Sequence, residues 1–167
     1  MKGILVANLN LFVFLSLGAI SNQPNIVVIM ADDAGFSDFG CYGGEIETPV
    51  LDKLATNGLR FSQFYNTGRC CPSRAALLTG CCPKRVGMHE HVIFPAYDHG
   101  LHPDETTIAD ALSEAGYATG CFGKWHLGHR PGLLPTSQGF DTFFGIPYSN
   151  DMSQFHRPGG NGYRHGR

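Results

Sequence analysis

Residues 25–40 read NIVVIMADDAGFSDFG, and the first six of them decide the layout of the chain. NIVVIM is a continuous apolar, β-branched run. That is the composition of a strand buried on both faces, as in a parallel sheet. The run stops at Ala31 and gives way to Asp32, Asp33 and Gly35. Acidic residues and glycine directly after a buried strand mark the carboxyl edge of a sheet, where open α/β folds hold their ligands.

Working outward, TPVLDKLATNG (residues 48–58) reads as a helix. Thr48 caps it, Pro49 suits its first position, Leu51, Leu54 and Ala55 share a face, and Gly58 ends it. RFSQFYN (60–66) has strand composition. In CCPSRAALLTG (70–80) the pattern predicts a short helix with Pro72 at its first position and Gly80 as its C-cap. TIADALSEAG (107–116) places Ile108, Ala111, Leu112 and Ala115 at i, i+3, i+4, i+7, with Gly116 closing the helix. YATGCFG (117–123) returns as a strand and runs into KWHLG. Alternating strands and helices in this order predict a layered α/β architecture with a largely parallel sheet. No helix is expected after Gly128, and HRPGGNGYRHGR (156–167) reads as a loop or frayed tail.

The two ends of the composition narrow the class. The chain has 167 residues, the length of one domain, and a net charge of -2. Nothing in that balance predicts the clustered basic surface that nucleic acid requires. Residues 1–21, MKGILVANLNLFVFLSLGAIS, read as a secretory signal peptide, with Ala19 and Ser21 at the spacing of a cleavage site. Asn8 and Asn10 keep the apolar run below the roughly 20 residues a membrane span needs, so no stable membrane anchor is expected. The expected destination is outside the cytoplasm, periplasmic or extracellular. Export permits disulfides, and the six cysteines are compatible with three bridges whose connectivity the sequence leaves open. No C-x-x-C occurs, and the spacing fits neither a redox motif nor a zinc finger.

Two clusters carry chemistry. Asp32 and Asp33 would repel each other unless a cation sat between them, and their hard oxygen donors suit Ca²⁺ or Mg²⁺; in isolation such a pair reads equally as a solvated turn, and its place after a buried strand favours the cation. Cys70 stands at a helix N-terminus, with Arg74 one turn in. Such an end attracts anions and lowers a thiol's pKa, so the pair reads either as a nucleophile beside an anion site or as a structural cysteine at a cap. HEH at residues 89–91 is not H-E-x-x-H and reads as a surface or substrate-pocket loop. Trp125 and Phe122 read as packing residues.

The segment C-x-P-S-R at residues 70–74, continuing as AALLTG and then P-x-R-x-G at 83–87, resembles the signature of the sulfatase family. GKWHLG (123–128), NIVVIMADDAGFSDFGCYGG (25–44) and TPVLDKLA (48–55) resemble other segments of that family, in the same order. The resemblance runs from about residue 25 to residue 145 and is closest to arylsulfatase-like, cysteine-type members. It implies an alkaline-phosphatase-like layered fold with a mostly parallel central sheet, incomplete in this chain. It implies that a maturation enzyme reads C-x-P-S-R before folding and oxidises Cys70 to formylglycine, with Cys71 in the unspecified slot. The hydrated aldehyde would attack the sulfur of a sulfate ester and later expel sulfate by elimination.

By the same resemblance Asp32, Asp33 and the modified Cys70 would ligate a divalent cation, usually Ca²⁺. Arg74 would steady the formylglycine, Lys124 would bind sulfate and the diol, and His126 would assist deprotonation. The family pattern has further metal ligands, a leaving-group acid and another lysine that this sequence does not supply. Residues 22–167 are therefore expected to be the N-terminal portion of a sulfatase catalytic domain, inactive and poorly folded alone. The alternatives are a phosphonate or phosphodiester hydrolase of the same superfamily, or a non-catalytic truncated remnant.

Overall fold

The computed structural model describes residues 23–89 and 92–152. The expected signal peptide, Glu90 and His91 of the HEH stretch, and the glycine-rich tail lie outside the described residues. The chain divides into two units, Met1–Ala34 and Gly35–Arg167.

The described part of the first unit contains no helix or strand. The expected strand at residues 25–30 is not formed, and Val27 and Ile29 are each 79% exposed. A strand of this composition needs hydrogen-bonded neighbours and covered faces to be stable. Among the described residues no strand pairs with it, so its apolar pattern has nothing to bury against.

Among the described residues of the second unit, two single 3₁₀ turns, Phe36–Asp38 and Gly40–Tyr42, precede three helices: α1 (Pro49–Asn57), α2 (Cys70–Thr79) and α3 (Ile108–Glu114). Strands β1 (Gly120–Lys124) and β2 (Thr142–Ile146) follow, with further 3₁₀ turns at Pro135–Ser137 and Asn150–Met152. The two strands pair in parallel, Gly120 opposite Thr142 through Lys124 opposite Ile146. The strand expected at 60–66 is absent, and that segment is irregular and exposed. β2 was not expected, although TFFGI has strand composition.

The helices form for legible reasons. Pro49 opens α1 as expected, but the Thr48 hydroxyl caps no backbone amide of the helix. It donates to Asp52 Oδ1 at 2.9 Å and accepts from the Gly40 N–H at 2.8 Å, tying the helix to the turn before it. Gly58 ends α1 in extended rather than left-handed backbone. α3 opens on a capping box. Thr107 Oγ1 accepts from the Asp110 N–H at 3.2 Å, and Asp110 Oδ2 accepts from the Thr107 N–H at 2.8 Å.

α2 starts two residues earlier than the proline predicts. Arg69 is its N-cap in extended conformation, and the Arg69 carbonyl accepts from Ser73 N–H at 3.1 Å. Pro72 sits third, where a missing N–H is still harmless because the first four amides have no partner within the helix. Gly80 closes the helix at φ 65, its N–H on the Ala76 carbonyl at 2.9 Å.

The core lies under α2 and the stretch following β1. Cys71 and Ala75 from α2 meet Met88, Ile93, Leu101, Trp125, Leu127 and Tyr148. Trp125 is buried, so its indole N–H needs a partner and finds the Leu133 carbonyl at 2.8 Å. By contrast, Phe122 and Phe144 face each other across the strand pair while 73% and 78% exposed.

Candidate active site

α2 presents Cys70 as its first residue and Arg74 one turn later. β1 ends at Lys124, and His126 follows two residues on. Parallel pairing continues past the strand ends, with Trp125 N–H on the Ile146 carbonyl at 2.9 Å and His126 N–H on the Pro147 carbonyl at 3.0 Å. Buried Trp125 and Leu127 flank His126 and fix its direction. His126 has φ 62, a left-handed conformation uncommon outside glycine and tolerated by histidine more than by most residues. Such backbone persists where surrounding contacts hold it, and it concentrates at functional positions.

These elements converge. The Arg74 guanidinium donates through Nη1 to the Lys124 main-chain carbonyl, which joins the helix to the end of β1. Cys70 Sγ, Cys71 Sγ and a ring nitrogen of His126 lie within 4.8 Å of one another. His126 is fully buried, with Nε2 2.9 Å from the Ile93 carbonyl oxygen. A carbonyl only accepts, so Nε2 carries a hydrogen, which in the neutral ring leaves the lone pair on Nδ1. The N–H of the same Ile93 donates to Cys71 Sγ at 3.3 Å. Tyr148 stands edge-on to His126 at 5.4 Å between ring centres, and its hydroxyl lies 2.6 Å from His129 Nδ1.

Burial pushes the Cys71 thiol up to about 11; the Ile93 N–H pulls it down, and the Cys70 thiol beside it pushes it further up. The Lys124 charge acts on it in the lowering direction. Burial also raises Cys121, against the opposing charge of Arg74. His129 is lowered by burial and then by Arg130, with Asp98 pulling the other way. All six cysteines are thiols, so none of the bridges that the even count permits is formed.

Four of the six residues singled out from the sequence thus lie in the second unit in two contacts, Cys70 beside His126 and Arg74 on the Lys124 main chain. Asp32 and Asp33 belong to the first unit, where both are exposed and Asp33 has φ 56. Sequence reasoning missed Cys71, Ile93 and Tyr148. Cys71 was read only as filler in the motif. Ile93 contributes through its main chain and leaves no trace in residue type, and Tyr148 stands in a segment with no motif of its own.

The sequence matches the sulfatase family over residues 24–164. It is 52% identical to arylsulfatase A of Homo sapiens over 138 residues, 80% of this chain and 27% of that protein. The solved structure of Ps i-CgsB superposes with a TM-score of 0.73 at 40% identity, covering 76% of this chain and 29% of that one. The PsFucS1 sulfatase from Pseudoalteromonas sp. superposes at 0.67 and 38% identity, over 74% of this chain and 26% of its own. The chain thus spans about a quarter of the length of these relatives. The architecture is the alkaline-phosphatase-like α/β fold, represented here by its helices and two parallel strands. With its signature residues gathered at one helix end and the family matched along most of its length, the chain belongs to the sulfatase family.

Proposed function

We propose that the protein is an exported sulfuric ester hydrolase of arylsulfatase type, and that residues 22–167 carry the nucleophile-bearing N-terminal portion of its catalytic domain. The observation that carries this reading is that Cys70, at the N-terminus of α2, lies beside His126 while Arg74 of the same helix is bonded to the Lys124 main chain. In this reading a formylglycine-generating maturation enzyme converts Cys70. The resulting hydrate supplies one hydroxyl to attack sulfur and a second to release sulfate by elimination, with no separate hydrolysis of a stable ester.

The chain's own residues account for the rest. A sulfate ester gathers negative charge as the alcohol leaves, and fixed positive charge stabilises that transition state. The α2 N-terminus offers unpaired N–H groups and the positive end of the helix dipole. Lys124 would hold the sulfate oxygens from the end of β1. Arg74, braced on the Lys124 carbonyl, would keep residue 70 and Lys124 in fixed relation. His126 donates Nε2–H to Ile93, so Nδ1 is the atom able to take a proton from residue 70.

Asp32 and Asp33 fit a hard divalent cation such as Ca²⁺ in donor type, and such an ion supplies positive charge and Lewis acidity when bound. They are two carboxylates, against the roughly 6–8 oxygens Ca²⁺ prefers. The sulfur and nitrogen atoms of the second-unit cluster fit Ca²⁺ poorly. Mg²⁺ shares the same donor preference.

The test uses protein purified from its producing cell and p-nitrophenyl sulfate. Sulfate release that disappears in Cys70→Ala and falls at least about 100-fold in Lys124→Ala is expected. Release unaffected by Cys70→Ala would contradict the reading. Turnover of a phosphonate or phosphodiester in preference to the sulfate would assign the sister activity instead.

A further inference from the structure

Among the described residues, one group of three ligand-type side chains is gathered closely enough to hold a metal ion, and it is Cys70, Cys71 and His126. We propose that the chain, while Cys70 is still a thiol, binds a thiophilic divalent cation such as Zn²⁺ at Cys70 Sγ, Cys71 Sγ and His126 Nδ1.

Three features support the site independently of one another. The first is donor type. Two thiols and an imidazole are borderline-soft donors that select Zn²⁺ over Ca²⁺ or Mg²⁺. The second is reach. On one tetrahedral ion, ligands at about 2.3 Å for sulfur and about 2.0–2.1 Å for nitrogen lie about 3.5–3.8 Å apart. The two sulfurs and a ring nitrogen of His126 already lie within 4.8 Å of one another, so side-chain rotations that close them by up to about 1 Å would let them share one.

The third is the outer support, which converges on a single residue. Ile93 takes the Nε2–H of His126 on its carbonyl and gives its own N–H to Cys71 Sγ. A ligating histidine is ordinarily held in this way by a carbonyl or carboxylate on its far nitrogen. An amide donated to sulfur stabilises the thiolate that a metal requires. Ile93 is itself buried, so both contacts are fixed rather than free to swing.

Three protein ligands leave the fourth tetrahedral position open to water or an added thiol. Metal-binding and conversion to formylglycine are alternative fates of one side chain, because an oxygen-bearing residue 70 removes one of the two sulfurs. That last clause rests on the formylglycine reading; the site itself does not.

The experiment is a titration of the full chain, reduced and confirmed by mass to carry a thiol at residue 70, with Co²⁺ as the spectroscopic probe and Zn²⁺ as competitor. One equivalent of Co²⁺ is expected to give thiolate-to-metal charge-transfer absorption that Zn²⁺ abolishes. Cys70→Ser and Cys71→Ser should each weaken the charge-transfer band, and His126→Gln should lower affinity by more than about tenfold. Cys41→Ser and Cys82→Ser should leave both unchanged. Circular dichroism of each variant separates loss of ligand from loss of fold, and Cys70→Ser, at a partly exposed position, is the variant that best keeps the core intact. Absence of the band in the folded chain, or a band that survives Cys70→Ser and Cys71→Ser alike, would overturn the proposal. If the formylglycine reading fails and residue 70 is always a thiol, the titration is still expected to succeed.

Discussion

Replacing Thr107 with valine asks whether polar satisfaction or apolar burial holds α3 against the rest of the second unit. Thr107 is 1% exposed. Its Oγ1 accepts from the Asp110 N–H at 3.2 Å and lies within donating reach of the Gln138 carbonyl at 2.9 Å and of Asp110 Oδ2 at 2.8 Å. Valine keeps the branched shape and leaves almost no cavity. Loss of the cap costs about 1 kcal/mol. A buried carbonyl deprived of its donor costs about 1–3 kcal/mol more, for a total near 3 kcal/mol. Serine keeps the hydroxyl and gives up one methyl, about 0.8 kcal/mol. The order is the reverse of side-chain hydropathy. Hydrogen exchange at the Asp110 and Ala111 amides reads it, since the Ala111 N–H bonds the Thr107 carbonyl in the first turn. Exchange should quicken about 100-fold in Thr107→Val and less than about tenfold in Thr107→Ser. Exchange in the valine variant no faster than in the serine variant would refute the reasoning.

Three further outcomes follow from particular contacts. A Cβ at Gly145 would overlap the Gly123 carbonyl oxygen, so Gly145→Ala should part β2 from β1 and strip the β1 amides of exchange protection; retained protection would contradict this. Burial and Arg130 hold the His129 imidazole below its ordinary value, so the folded chain prefers the neutral ring. Its contribution to stability is then fully present above pH 6.5 and declines as pH falls below it; the drop in urea midpoint between pH 8 and pH 5.5 should be smaller in His129→Gln than in wild type. Phe122 and Phe144 form an exposed aromatic pair, and an apolar surface of this kind binds hydrophobic dyes. Dye fluorescence should fall in Phe122→Lys/Phe144→Lys, and an unchanged signal would place the dye elsewhere.

What could be read from the sequence was what acts locally. The Pro49 start and the Gly80 C-cap each depend on a few neighbouring residues, and both stand where the pattern puts them. The start of α2 slipped by two residues because proline is tolerated at any of the first turn's positions, not only the first. NIVVIM failed as a strand for a different reason. Its composition encodes an environment, neighbours on both edges and cover on both faces, and a strand exists only where that environment is supplied. β2 was overlooked because parallel pairing joins residues more than twenty apart and short aromatic runs between glycines give little periodicity. In the candidate site, the motifs pointed to Cys70, Arg74, Lys124 and His126, and the second unit brings Cys70 to His126 and Arg74 to the Lys124 main chain. Motif spacing could not find Ile93, because a main-chain N–H and C=O look the same under every side chain.

The conversion of residue 70 is the most direct test of all. Trypsin should release residues 70–74, CCPSR, and fragmentation of that peptide separates residue 70 from residue 71. In protein made by a cell with a formylglycine-generating enzyme, residue 70 should have lost one sulfur and two hydrogens and gained one oxygen, with Cys71 unchanged. A thiol at residue 70 in a cell whose other sulfatases are fully converted would contradict the proposed nucleophile.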